Sequence, residues 1–165
     1  MGIYKLDELD FPTGANSVSS MSLSGHTNYY IIISNFSAGG GYLEMQLAEG
    51  SSVVSGSVYD EYMRVGTSST NFVDTHATSE TSVRLSYNLN ASTTEQNTQI
   101  WIFGAGDVNT NTNFVYRSVA QLSTTIYNSM GGGRLQNNSV VNGFNLLNTT
   151  TDYFTDGKLV VYGYR

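Results

Sequence analysis

"FTDGKLVVYGYR", running from Phe154 to Arg165, reads as a core β-strand with a turn ahead of it. Asp156-Gly157 is a tight-turn dipeptide, because glycine accepts positive φ without steric cost. Beyond it Leu159, Val161 and Gly163 fall on one face, and Lys158, Val160, Tyr162 and Tyr164 on the other, the period of two that a strand imposes. Phe154, just before the turn, is placed to fold back over one end of a sandwich. A strand that is apolar on both faces needs cover on both. A second sheet supplies the inner cover; another segment of the chain or a neighbouring subunit supplies the outer one.

The same rhythm recurs upstream. "YYIIISNF" (29–36) is apolar on both faces, and "YLEMQL" (42–47) alternates. "VVSGSVYDEYMRV" (53–65) is long, with a bend at Gly56 or Asp60, and "SVRLSYNL" (82–89) sets Val83, Leu85, Tyr87 and Leu89 against polar residues. "QIWIFG" (99–104), "FVYRSV", "LSTTIY" and "VVNGFNLL" follow, each bounded by Gly, Ser, Asn or Thr. Short strands at such intervals predict an all-β fold, a jelly-roll-like antiparallel β-sandwich of about nine or ten strands over residues 28–165. Residues 1–27 show no period and read as an irregular N-terminal arm, with one strand in "SVSSMSLS" as an option.

Composition points the same way. Only 12% of the 165 residues are charged, and Ser, Thr, Asn and 17 Gly take their place. These residues compete with or loosen helical backbone and favour turns and half-exposed strands. The net charge of −6, from seven Lys and Arg against thirteen acids, excludes the clustered cations that nucleic acid requires. Without cysteine there is no disulfide framework and no thiolate chemistry. No apolar run is long enough for a signal peptide or a membrane span, so synthesis in a cytoplasm with no membrane partner is the expectation.

The chain's last strand carries a family pattern. Phe-x-x-Gly-x-apolar-x-apolar-Tyr-Gly, here Phe154, Gly157, Leu159, Val161, Tyr162 and Gly163, resembles the C-terminus of many tailed-phage virion structural proteins, and "VVNGFNLLNTTTDYF" (140–154) is similar to their penultimate strand and loop. The resemblance covers the last third closely and the rest in strand rhythm only. It implies a small jelly-roll-like sandwich carried on the virion, commonly as an oligomer, and brings no catalytic residues.

Chemistry finds little support in the residues themselves. His26 in "SGHTN" and His76 in "DTHAT" read as exposed loop histidines, and no G-x-S-x-G nucleophile turn exists. "DVNTNTNF" (107–114) spaces Asp107, Asn109, Asn111 and Asn113 like calcium ligands, but lacks the loop glycine and the closing glutamate. "AGGG" (38–41) and "MGGGR" (130–134) read as flexible turns rather than phosphate loops. The neighbours Asp60 and Glu61 point to opposite faces of a strand and so do not face each other across a cleft. No enzyme activity, cofactor or metal is expected.

The aromatic residues are more informative. Trp101, Phe103, Tyr162 and Tyr164 occupy nominally outer positions. Two-sided core, contact between copies and stacking on a ligand all fit such rings. The expectation is a decoration or cement protein of a phage head, associating with itself as a trimer and with the major capsid protein or other virion proteins. The arm residues Ile3, Tyr4, Leu6, Leu9 and Phe11 are the candidate lattice contacts, and Trp101, Phe103 and Tyr164 the candidate interface. Removal of residues 1–14 is then expected to leave a folded oligomer that no longer binds capsids. A receptor- or carbohydrate-binding module at a tail or fibre tip, with a surface glycan as partner, is the other reading.

Overall fold

The computed structural model describes residues 2–21, 23, 25–68, 70–86, 95–150 and 153–164. Thirteen strands and no helix occur among them: β1 (Ile3–Asp10), β2 (Ser17–Ser20), β3 (Asn28–Ala38), β4 (Leu43–Glu49), β5 (Ser52–Val53), β6 (Tyr59–Thr67), β7 (Thr70–Glu80), β8 (Val83–Arg84), β9 (Glu95–Phe103), β10 (Asn113–Leu122), β11 (Thr125–Leu135), β12 (Gly143–Asn148) and β13 (Phe154–Tyr164). The strands form two antiparallel sheets. The larger runs β1-β13-β3-β9-β10-β11-β6-β7, and the smaller β2-β12-β4-β5, with β8 also on β4.

The path is that of a jelly roll. β1 to β4 alternate between the sheets, and the orders β1-β13-β3-β9 and β2-β12-β4-β8 are those of two interlocked Greek keys. Two hairpins are inserted into this frame. β6–β7 lies between the two short strands that flank β4, and β10–β11 lies between β9 and β12. The two hairpins pair with each other through β11 and β6 and lengthen the large sheet beyond β9.

The core lies between the sheets. Ile31, Ile33, Ile100, Phe114, Leu159 and Val161 from the large sheet meet Leu43, Met45, Leu47, Phe144 and Leu146 from the small one, all fully or nearly fully buried. Each such side chain contributes about 1.5–3 kcal/mol by leaving water. Two buried tyrosines add hydroxyl hydrogen bonds, Tyr59 between the layers and Tyr29 to the β2–β3 connection. Tyr59 accepts from the Leu47 N–H at 2.8 Å and donates to the Val54 carbonyl at 2.9 Å, while Tyr29 donates to the Leu23 carbonyl.

Several sequence expectations are corrected. Residues 3–10 are not an irregular arm but the edge strand of the large sheet, paired along β13 from Ile3↔Tyr164 to Asp10↔Lys158. Asp156-Gly157 is not a turn but a bulge inside β13, where the register to β3 shifts on both sides of Asp156. Gly157 takes φ +141°, and a Cβ there would come within 2.8 Å of the Phe11 ring, so glycine is what lets that ring lie against the strand. "MGGGR" is not a turn either: Gly131–Gly133 lie in the middle of β11. A Cβ on Gly131 would sit 2.6 Å from the Tyr116 hydroxyl, so the glycines let β11 pass over the large buried rings of β10. Residues 70–80, given no strand from sequence, form β7 and carry His76. The long run 53–65 breaks into β5 and β6, and in 82–89 the strand is Val83–Arg84 among the described residues, with 87–89 outside them.

Candidate functional site

The strand registers assemble one surface that no single segment shows. Across the outer face of the large sheet, Lys5 stands opposite Tyr162, Tyr162 opposite Tyr30, and Tyr30 opposite Trp101. The row continues through Val115, Gly132, Tyr62 and His76. Alternation drives this, because the partner of an outward residue in an antiparallel ladder also points outward.

Three rings of that row form a stack. Tyr30 lies 5.1 Å from Trp101 with an interplanar angle of 21°, and 6.2 Å from Tyr162 at 27°. Burial, and then the proximity of Tyr162, pushes the Tyr30 hydroxyl pKa up. At these separations the faces of Tyr30 are taken by its neighbours, so this ring offers an edge, not a platform, to anything arriving from solvent. Cross-strand aromatic pairs of this kind bind strands together.

Around the stack the face is open and mixes apolar with polar side chains. Phe103, Val115 and Val119 are exposed, and Ile3, 69% exposed, pairs with Tyr164 at the rim. Below the row Val160, Ile32, Gln99, Arg117 and Met130 run in register. A depression of about 340 Å³ there is lined by Ile32, Ser34, Asn97, Gln99, Arg117 and Val119. No family model matches the chain, and neither a curated protein nor a solved structure does.

Toward β7 the face becomes polar. Arg64 grips Asp74 with two donors, at 2.7 and 3.1 Å, and lies over the Phe72 ring at 5.4 Å. The Arg64 guanidinium holds the Asp74 carboxyl below its usual range, and the Asp74 carboxylate raises the Tyr62 hydroxyl pKa. Asp60 accepts from Gln136 at 2.6 Å and from Arg134 at 2.9 Å, and these donors lower its pKa. Between them a groove of about 400 Å³, bared by Gly132, is lined by Asp60, Tyr62, His76, Asn113 and Arg134.

The structure sorts the sequence-predicted residues into two groups. Trp101, Phe103, Tyr162 and Tyr164 do share the outer face. The arm residues do not form a unit. Phe11 is 4% exposed and sits in a three-ring cluster with Phe36 and Phe154, so it is core and not a lattice contact. Leu6 and Leu9 are partly buried and pack against the core. Tyr4 is exposed, with its ring 5.9 Å from that of His26, and Ile3 joins the outer face. Of the family pattern, Phe154, Gly157, Leu159, Val161 and Gly163 are buried, and Tyr162 alone points outward.

Sequence reading missed Tyr30, Tyr62 and Val115, whose membership of the face depends on register between distant strands. The polar candidates resolve into local structure. Asp107 accepts the Asn109 N–H at 2.8 Å, an Asx-type turn. Glu61 faces inward and accepts the Arg84 N–H at 2.7 Å, linking the two sheets, while burial raises its pKa. His76 is in a strand, not a loop. Among the described residues no group of three or more His, Asp and Glu side chains is placed to hold a metal ion.

Proposed function

We propose that this chain is a non-enzymatic structural protein of a tailed-phage particle, a decoration or cement protein that docks on the head through the outer face of its large sheet. The observation that carries the reading is that face. Tyr30, Trp101 and Tyr162 lock the strands into a firm face, and Ile3, Phe103, Val115 and Val119 expose apolar side chains on it. Exposed apolar side chains on a rigid sheet face serve association. Copies that also associate with one another gain avidity on a lattice without any new contact to the shell.

The test is co-sedimentation of the purified protein with capsids that lack it, followed by densitometry. Saturation at a copy number set by the shell lattice supports the reading. Saturation at the few copies of a tail organelle, or no binding, overturns it.

A receptor- or glycan-binding module is favoured by one different feature, the groove over Gly132. It sets an exposed Tyr62 ring among Asp60, His76, Asn113 and Arg134, a mixture of stacking surface and hydrogen-bonding groups suited to a saccharide. A glycan array that lights up with the native protein and goes dark with Tyr62→Ala would move the assignment to this reading.

A further inference from the structure

The two edges of the large sheet are built differently. β1 carries Lys5, Asp7, Glu8 and Asp10 and a bulge between Lys5 and Asp7, devices that keep an edge from pairing with another chain. β7 is longer and contains neither Lys nor Pro. Among the described residues no strand pairs with its outer side. Its middle, Val73–Ala77, keeps unbroken register with β6, from Val65↔Val73 to Glu61↔Ala77. Register irregularities bound that window on both sides, and Ser79 beyond it lies in the left-handed region at φ 60°.

We infer that β7 is the seam along which two copies of this chain join, antiparallel, about a two-fold axis through Thr75. The register follows from parity. A two-fold axis normal to the sheet maps the outer face onto the outer face, so an outward residue must meet an outward one and the axis must pass through a residue. Centring on Asp74 sets the two Asp74 carboxylates against each other. Centring on His76 sets imidazole against imidazole. Centring on Thr75, the midpoint of the regular window, sets Asp74 against the partner's His76 at both symmetry-related positions. Each carboxylate then accepts from an imidazole N–H while keeping Arg64 on its own sheet, which its four lone-pair sites allow. On the inner face Val73 meets Ala77 and Thr75 meets Thr75, pairs that suit adjacent strands.

Two eight-stranded sheets so joined become one continuous sheet, and the axis normal to it leaves both outer faces pointing the same way. The pair carries one aromatic stack on each wing of the joined sheet, with β10, β11, β6 and β7 of both copies between them. This two-fold association departs from the trimer expected from sequence. It concerns the purified protein alone and stands or falls separately from docking on capsids.

The chain has no cysteine, so a single introduced one reports the seam. Directly opposed residues on antiparallel strands have Cα atoms about 4.5–5.5 Å apart, within disulfide reach. Thr75→Cys is expected to oxidise to a covalent dimer at protein concentrations where Val119→Cys, away from the seam, stays monomeric in gels. Sedimentation of the native protein should give twice the 18.0 kDa chain mass. His76→Asp, with its β-sheet spectrum retained, should weaken the dimer about tenfold by facing Asp74 with another acid, while His76→Asn, whose amide can still donate to Asp74, keeps it. A monomer at all concentrations, a mass of three chains, equal cross-linking of the two cysteine variants, or a His76→Asp dimer as tight as the native one would each overturn the inference.

Discussion

The ring of Phe11 meets that of Phe154 edge-on, with centroids 4.9 Å apart and planes at 88°. One residue follows the first strand and the other opens the last, and Phe36 of β3 closes the cluster at 5.0 and 5.4 Å from the two. Phe11→Ala should therefore cost about 3–5 kcal/mol, the range for emptying a buried phenylalanine site, as read from the urea midpoint. Deletion of residues 1–14 should be worse, because it also strips β13 of a ladder partner. Aggregation or loss of β signal is the expected outcome, in place of the folded oligomer foreseen from sequence.

Gly157→Ala should destabilise by about 2 kcal/mol or more, because the backbone is held at positive φ and the added methyl meets Phe11 at 2.8 Å and Phe36 at 3.1 Å. Thermal unfolding of the variant beside the native protein reads this directly. A melting temperature equal to that of the native protein would mean that the bulge relaxes freely.

Two glutamates give the stability opposite dependences on pH. The Lys158 and Lys5 ammonium groups at Glu8 hold its carboxyl down to about 2, from 4.5. Its contribution is complete above pH 4.5 and is lost as pH falls toward 2. Glu61 is the reverse: burial raises its pKa, so ionisation is penalised in the folded state and stability falls as pH rises from 4.5 through the folded value. Glu61→Gln should raise the neutral-pH melting temperature and leave the acid one unchanged, since an amide oxygen can still accept the Arg84 N–H. Glu8→Gln should flatten the acid limb of the same profile.

Trp101 is the single tryptophan of the chain, and it is half-buried against Tyr30. Trp101→Ala should keep the fold, at a cost of about 1 kcal/mol for one cross-strand aromatic pair, yet lose most capsid co-sedimentation. In the native protein, docking should blue-shift the Trp101 emission and protect it from acrylamide. Full binding by Trp101→Ala would remove this ring from the contact.

The sandwich was legible because short apolar runs in β3, β4, β9, β10 and β13 are each bounded by Gly, Ser, Asn or Thr, and β4 alternates cleanly, one face against a second sheet. β1 was not. Its bulge near Leu6 brings Leu6 and Leu9, three positions apart, against the same core and erases the period of two. β7 was hidden for another reason: Val73 is 60% exposed, so the strand has no buried face to leave an apolar signature. Gly131–Gly133 imitated a loop because the constraint on them comes from Tyr116 and Phe114 on the neighbouring strand. The outer aromatic positions of β9 and β13 could be read one strand at a time, but their union with Tyr30 rests on the pairings Tyr30↔Trp101 and Tyr162↔Tyr30, between residues far apart in the chain.

The pairing of Ile3 with Tyr164 also decides how the molecule bears a load. Tension applied at those two residues pulls at one end of the ladder between the first and last strands, so its hydrogen bonds give way one after another, like a zipper. A molecule pulled at these two residues would open easily. Held instead by the broad side of its large sheet, the same protein spreads the force over many bonds at once.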